Sequence, residues 1–92
     1  MVVELEIYEP KTVEFDIDKM HQMVLDSCRK DFKDWDKLSN EGRIGYLIED
    51  VYDNIDYYLE KQKIEAEFPE SVLDYIVEKY KEYLSNPNVI LC

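Results

Sequence analysis

The chain has 92 residues and a mass of 11.1 kDa, a length that fits one small acidic domain over residues 1–92. Its 22 acidic and 11 basic residues give a net charge of −11, which excludes nucleic-acid binding by phosphate neutralisation and electrostatic anchoring to a membrane. The hydrophobic share of 46%, with eight Tyr, three Phe and one Trp, is too large for a disordered acidic segment, and no apolar run approaches the ~18 residues of a membrane span.

Residues 2–8 alternate, with Val3, Leu5 and Ile7 on one side and Glu4, Glu6 and Tyr8 on the other. Residues 12–17 alternate too, with Val13, Phe15 and Ile17 set against Thr12, Glu14 and Asp16. Period two with β-branched residues predicts two strands, joined through Glu9-Pro10-Lys11. Pairing Ile7 with Val13, Leu5 with Phe15 and Val3 with Ile17 keeps one face apolar, and is the expected register. Asp18 is the expected N-cap of a first helix reaching about Trp35, with Met20, Val24, Cys28, Phe32 and Trp35 at helical spacing. Ser39 or Asn40 caps a second helix over about 41–63. There Ile44, Leu47, Ile48, Val51, Ile55, Tyr58 and Leu59 form one apolar stripe. Phe68-Pro69 leads into a third helix that ends near Leu84, and Asn86-Pro87-Asn88 stops it. Val89-Ile90-Leu91 could add a short C-terminal strand beside the hairpin. The expected fold is α+β, an N-terminal β-hairpin followed by three helices (β-β-α-α-α).

The opening residues show neither a basic n-region nor an apolar h-region, so no signal peptide is expected. Cys28 on an apolar helix face and Cys92 form no disulfide framework, which also points to the cytoplasm. Lys, Ile, Tyr and Asn outnumber Ala, Gly, Pro and Arg by 29 to 8, a bias suggesting an AT-rich genome such as that of a low-GC bacterium or its phage.

The charge is unevenly placed. Residues 1–18 carry six acids and one base, and residues 38–60 the same, whereas residues 19–37 carry four acids and five bases. In the first helix Asp26–Lys30, Lys30–Asp34 and Asp34–Lys37 are expected to pair at (i, i+3) or (i, i+4). The second helix has no such partners: Glu49, Asp53, Asp56 and Glu60 fall within about 60° of arc opposite the apolar stripe, and no base lies between Arg43 and Lys61. Asp50 lies to one side, Tyr46 and Tyr57 on one flank and Tyr52 on the other. In the expected register Glu4 faces Asp16 and Glu6 faces Glu14, like charges that destabilise a sheet.

No catalytic constellation can be assembled. His21 is the single histidine, and two Cys with one His make no zinc pattern. Asp34-Trp35-Asp36 begins like a calcium loop, but Leu38, Ser39 and Gly45 occupy positions where a ligand, a glycine and a bidentate Glu are needed. Neither an enzyme nor a cofactor or metal is expected. Tyr58, Tyr80 and Tyr83 belong to the packing stripes.

Two readings of the acidic stripes compete. An acidic surface keeps a small protein in solution and need do nothing else. Alternatively, spaced carboxylates imitate phosphates and fit a basic cleft, with flanking Tyr supplying rigid contact area. The second leads to the expected function: an inhibitor occupying the nucleic-acid-binding cleft of a partner, a nuclease or a CRISPR or restriction effector. That is the mode, though not the sequence, of phage anti-CRISPR and anti-restriction proteins. The expected contact residues are Glu49, Asp50, Asp53, Asp56, Glu60, Tyr46, Tyr57, Glu4, Glu6, Glu14 and Asp16. An immunity protein or antitoxin neutralising a cognate toxin is the alternative, and a helical homodimerisation module through tyrosines is a third.

Overall fold

Alternation builds an antiparallel hairpin from β1 (Val2–Tyr8) and β2 (Lys11–Asp16), followed by α1 (Ile17–Asp31), one 3-10 turn (Trp35–Lys37), α2 (Asn40–Lys61) and α3 (Glu70–Leu84). The structure, a computed structural model, describes residues 1–8, 11–64 and 69–92. Glu9 and Pro10 of the expected turn, and Phe68 before α3, lie outside the described residues. The arrangement is α+β, as the hydrophobic periods imply.

The register differs from the expected one by two residues. Val3 stands opposite Phe15, Leu5 opposite Val13, Glu4 opposite Glu14, Glu6 opposite Thr12 and Val2 opposite Asp16. A slip of two leaves every side chain on its own face, so the apolar pattern is equally satisfied by both pairings. An irregularity between Glu6 and Tyr8 places one extra residue on β1 and sets the pairing. The expected Glu4–Asp16 and Glu6–Glu14 oppositions are therefore absent, and Glu4–Glu14 replaces them.

The N-cap of α1 is Asp16, not Asp18. Its backbone is extended (φ −91°, ψ 107°), and its carboxylate accepts from the Asp18 and Lys19 N–H groups at 3.0 and 3.3 Å. The Gln62 amide fixes that extended backbone: Asp16 N–H donates to Gln62 Oε1 and Gln62 Nε2 donates to the Asp16 carbonyl, both at 2.8 Å. α1 stops at Asp31, before the expected Trp35, because Phe32 is extended and the chain turns into the 3-10 segment. Arg43 grips that segment, donating from Nε to the Trp35 carbonyl and from Nη2 to the Asp36 carbonyl. Within α1 Asp26 pairs with Arg29 at 3.9 Å and not with Lys30, while Lys37–Asp34 forms at 3.7 Å. With the helix ended at Asp31, Asp34 is no longer one turn beyond Lys30.

Ser39 caps α2 through its Oγ, which accepts from Gly42 N–H at 3.2 Å. The far end of α2 closes on Lys63 in the left-handed region (φ 60°). Lys63 N–H donates to the Glu60 carbonyl and Ile64 N–H to the Leu59 carbonyl, a Schellman arrangement with a lysine where glycine is usual. Pro69, expected in the first turn of the third helix, is instead the N-cap residue of α3, with an extended backbone (ψ 153°) just before Glu70.

The core runs continuously from the hairpin through all three helices. Phe15 from the hairpin, Met20 and Val24 from α1, Leu47 and Val51 from α2, and Ile76 and Tyr80 from α3 are fully buried. Residues 89–91 form no strand, contrary to expectation. Their carbonyls are held by side chains instead: His21 Nε2 lies 2.7 Å from the Ile90 oxygen, and Trp35 Nε1 donates to Leu91 at 3.0 Å.

Candidate protein-interaction surface

The acids of α2 are exposed because they occupy the side opposite Leu47, Val51, Ile55 and Leu59, which the core takes up. Glu49, Asp53, Asp56 and Glu60 all face solvent. Among the described residues none of the four has a basic side chain within 4.0 Å. α1 and α3, by contrast, each hold side-chain ion pairs: Asp26 with Arg29, Glu82 with Lys79 and Glu78 with Lys81. Lys61, the base nearest the stripe in sequence, sits over the Tyr57 ring, 5.3 Å from its centroid.

The stripe is not straight. Asn54 departs from helical geometry (φ −126°, ψ 22°), and its side-chain amide donates to the Asp50 carbonyl at 3.2 Å, the acceptor its own backbone N–H would use in a regular helix. The kink divides the stripe into Glu49–Asp53 and Asp56–Glu60. Asp50 has an internal role rather than a free one. It accepts from Asn54 Nδ2 at 3.0 Å and from the Tyr58 hydroxyl. Burial, then the hydrogen bond to Asp50, push the Tyr58 phenol well above its ordinary range.

Packing of α1 against α2 adds acids that sequence spacing alone left out. The helices run antiparallel, with Cys28 Sγ 3.9 Å from the Tyr46 carbonyl. This brings Asp31 into a hollow of about 190 Å³ together with Glu49, Asp50, Asp53, Phe32 and Tyr46. A larger open groove of about 530 Å³ runs alongside, lined by Asp26, Asp31, Asp50, Asn54 and Tyr57 among others, with Lys30 its one basic residue. In sequence the signal for Asp31 was its position three residues beyond Cys28, on the flank of the stripe that packs against α2. Cys28 itself is buried, and its thiol is pushed up to about 12 by burial first and by the Asp50 and Asp31 charges second.

The tyrosines divide. Tyr57 is half exposed at the groove mouth, in edge contact with Tyr58. Tyr46 is half-buried against Phe32, with ring centroids 4.2 Å apart, so only one side of it is available. Tyr52 is exposed, and its hydroxyl donates to Asp74 at 3.4 Å. Tyr58 and Tyr80 are core residues and Tyr83 is half-buried beside them, as their spacing implies.

The hairpin acids are placed elsewhere. Glu4 and Glu6 border a separate hollow of about 400 Å³ between the hairpin and α3, with Thr12, Ser71 and Tyr75. Glu14 is exposed opposite Glu4, and the Asp16 carboxylate is committed to capping α1. The expected contact residues therefore divide between the α2 face and the hairpin, with Asp16 taken up by the cap of α1.

No protein-family model, curated protein or solved structure matches this chain. Among the described residues no group of three or more His, Cys, Asp or Glu is arranged to hold a metal ion. None of the described helices is long and apolar enough to cross a membrane.

Proposed function

We propose that this protein is an inhibitor that binds a basic nucleic-acid-handling protein and fills the cleft where that partner holds a phosphate backbone. It acts by occupancy rather than catalysis, in the cytoplasm of a bacterial host. The supporting observation is the contrast between helices: α1 pairs Asp26 with Arg29 and α3 pairs Glu78 with Lys81 and Glu82 with Lys79, while α2 leaves Glu49, Asp53, Asp56 and Glu60 all unpaired among the described residues. Like-charge neighbours on a helix are each destabilising by roughly 0.2–0.5 kcal/mol. A sequence selected only for solubility has no reason to retain them in one row.

The spacing suits the task. At ~1.5 Å rise per residue, the four carboxylates span about 16 Å of axis. A single nucleic-acid strand carries a phosphate about every 3.4 Å and the row a carboxylate about every 5.5 Å, roughly three-fifths of the charge density of one strand. Asp31 widens the negative field, which would steer encounter with a basic cleft. Tyr57 offers a rigid aromatic face at the rim.

The test uses the intact protein as bait in a low-GC bacterial lysate. A basic nuclease or related effector should be held at about 50 mM salt, shed near 200 mM, and displaced by excess duplex DNA. The variant Asp53→Asn, Asp56→Asn, Glu60→Gln should lose capture while keeping the fold. Capture that ignores salt and DNA, or that survives the three substitutions, refutes the proposal.

A further inference from the structure

His21, the single histidine, is buried on α1 with both ring nitrogens engaged. Nε2 lies 2.7 Å from the Ile90 carbonyl oxygen and Nδ1 lies 2.8 Å from the Tyr80 hydroxyl. A carbonyl can only accept, so Nε2 carries the proton, and Nδ1 of the neutral ring accepts from the Tyr80 O–H. The hydrogen bonds therefore run one way, from Tyr80 through the imidazole to Ile90. Trp35 Nε1–H holds the next carbonyl, that of Leu91, at 3.0 Å. Beyond these two donors, residues 89–92 are held among the described residues by one backbone bond, Val89 N–H to the Asn86 carbonyl at 3.1 Å, and by the half-buried Val89 and Leu91 side chains against the core, while Ile90 is 60% exposed.

We propose that His21 is a proton-operated latch: the neutral ring holds residues 89–92 against α1 and the 3-10 turn, and protonation releases them. A proton on Nδ1 turns that atom from acceptor to donor. The Tyr80 hydroxyl must then swing round to accept, which leaves its own hydrogen without an acceptor at a fully buried site. The charged ring also demands hydration. Water can reach it by unpacking the fully buried Tyr80 from the core, or by lifting a segment with two half-buried side chains, and the second disturbs less apolar surface.

The surroundings favour the neutral form. Burial holds the His21 pKa below the ordinary histidine value. The Ile90 carbonyl and the Asp18 carboxylate on α1 pull the other way without overcoming it, and Arg29 on α1 adds to the burial effect. α3 contributes the phenols of Tyr80 and Tyr83, whose ring centroids lie 5.8 and 5.2 Å away. A histidine held neutral in the native state supports the closed form fully above about pH 6.5, and that support fades as pH falls below it.

The single tryptophan reports the opening directly. In the full chain, the His21 ring carbon shifts, the Trp35 indole N–H resonance and Trp35 fluorescence are followed from about pH 8 to about pH 5. The expected result is one shared midpoint below the ordinary histidine value, with a red-shifted emission and unchanged helical circular dichroism. An indole that stays bonded while His21 titrates overturns the proposal, and so does loss of helix at the same midpoint. His21→Gln keeps one donor and one acceptor but cannot titrate, so its indole should stay bonded across the range. A transition that survives in this variant belongs to carboxylates and also overturns the proposal. If His21→Gln does not fold, Tyr80→Phe serves: without the hydroxyl that stabilises the neutral ring, the midpoint must rise, and an unmoved midpoint counts against the latch.

Discussion

Neutralising the α2 stripe with Asp53→Asn, Asp56→Asn and Glu60→Gln should stabilise the fold while removing its proposed activity. The substitutions keep side-chain shape and nearly the same helix propensity, so charge is what changes. Two like-charge pairs lie within unbroken helical segments, Glu49–Asp53 and Asp56–Glu60, and the kink at Asn54 separates Asp53 from Asp56. Each intact pair is destabilising by roughly 0.2–0.5 kcal/mol. Glu60 also sits in the last turn of α2, where a negative charge opposes the helix dipole by roughly 0.3 kcal/mol at an exposed site. Together the relief is about 1 kcal/mol, equivalent to roughly 4–8 °C in Tm for a domain of this size. Urea is the denaturant of choice because it carries no charge. The rise in unfolding free energy should be measured at low ionic strength and again near 1 M NaCl, where the screening length falls to about 3 Å and most of the gain should vanish. A variant no more stable than the parent at low salt would show that the row carries no repulsion. A gain undiminished by salt would assign it to something other than charge. Either result removes the reason for regarding the stripe as retained for binding.

Lys63→Gly should also stabilise the protein, by about 1 kcal/mol, because Lys63 closes α2 at φ 60° where a Cβ is unfavourable. The midpoint of chemical denaturation checks it, and an unchanged or lowered stability would refute the strain. The two thiols should differ sharply toward an alkylating reagent near neutral pH. Exposed Cys92 should react readily, while buried Cys28, its thiol pushed up to about 12, should react only in denaturant. Two fast thiols in the native protein would contradict the placement of Cys28.

Much of the architecture follows from the sequence by itself. Period-two alternation specified the hairpin, period-3.6 stripes specified three helices, and Ser39-Asn40 marked the start of α2, where Ser39 proves to be the cap, because these signals act within a few residues of the positions they govern. The exposed row Glu49–Asp53–Asp56–Glu60 was legible for the same reason: a helix with one apolar face leaves the other to solvent. Tertiary contacts decided the rest. The strand register could not be read, since slips of two residues leave the same face apolar, and the irregularity between Glu6 and Tyr8 chose among them. Asp16 and Asp18 are equally good caps on paper. The amide of Gln62, 46 residues away in sequence, holds Asp16 extended and so starts the helix at Ile17, two residues earlier than a cap at Asp18 would. Val89-Ile90-Leu91 has the composition of a strand. Its carbonyls instead meet donors from His21 and Trp35, partners that local pattern has no means of naming. Asp31 joins the α2 acids only because the apolar stripes of two helices pack antiparallel. The sequence thus determined which faces are apolar and which are charged. Only packing determined which charged faces meet, because hydrophobic burial fixes how helices lie together and their polar residues follow.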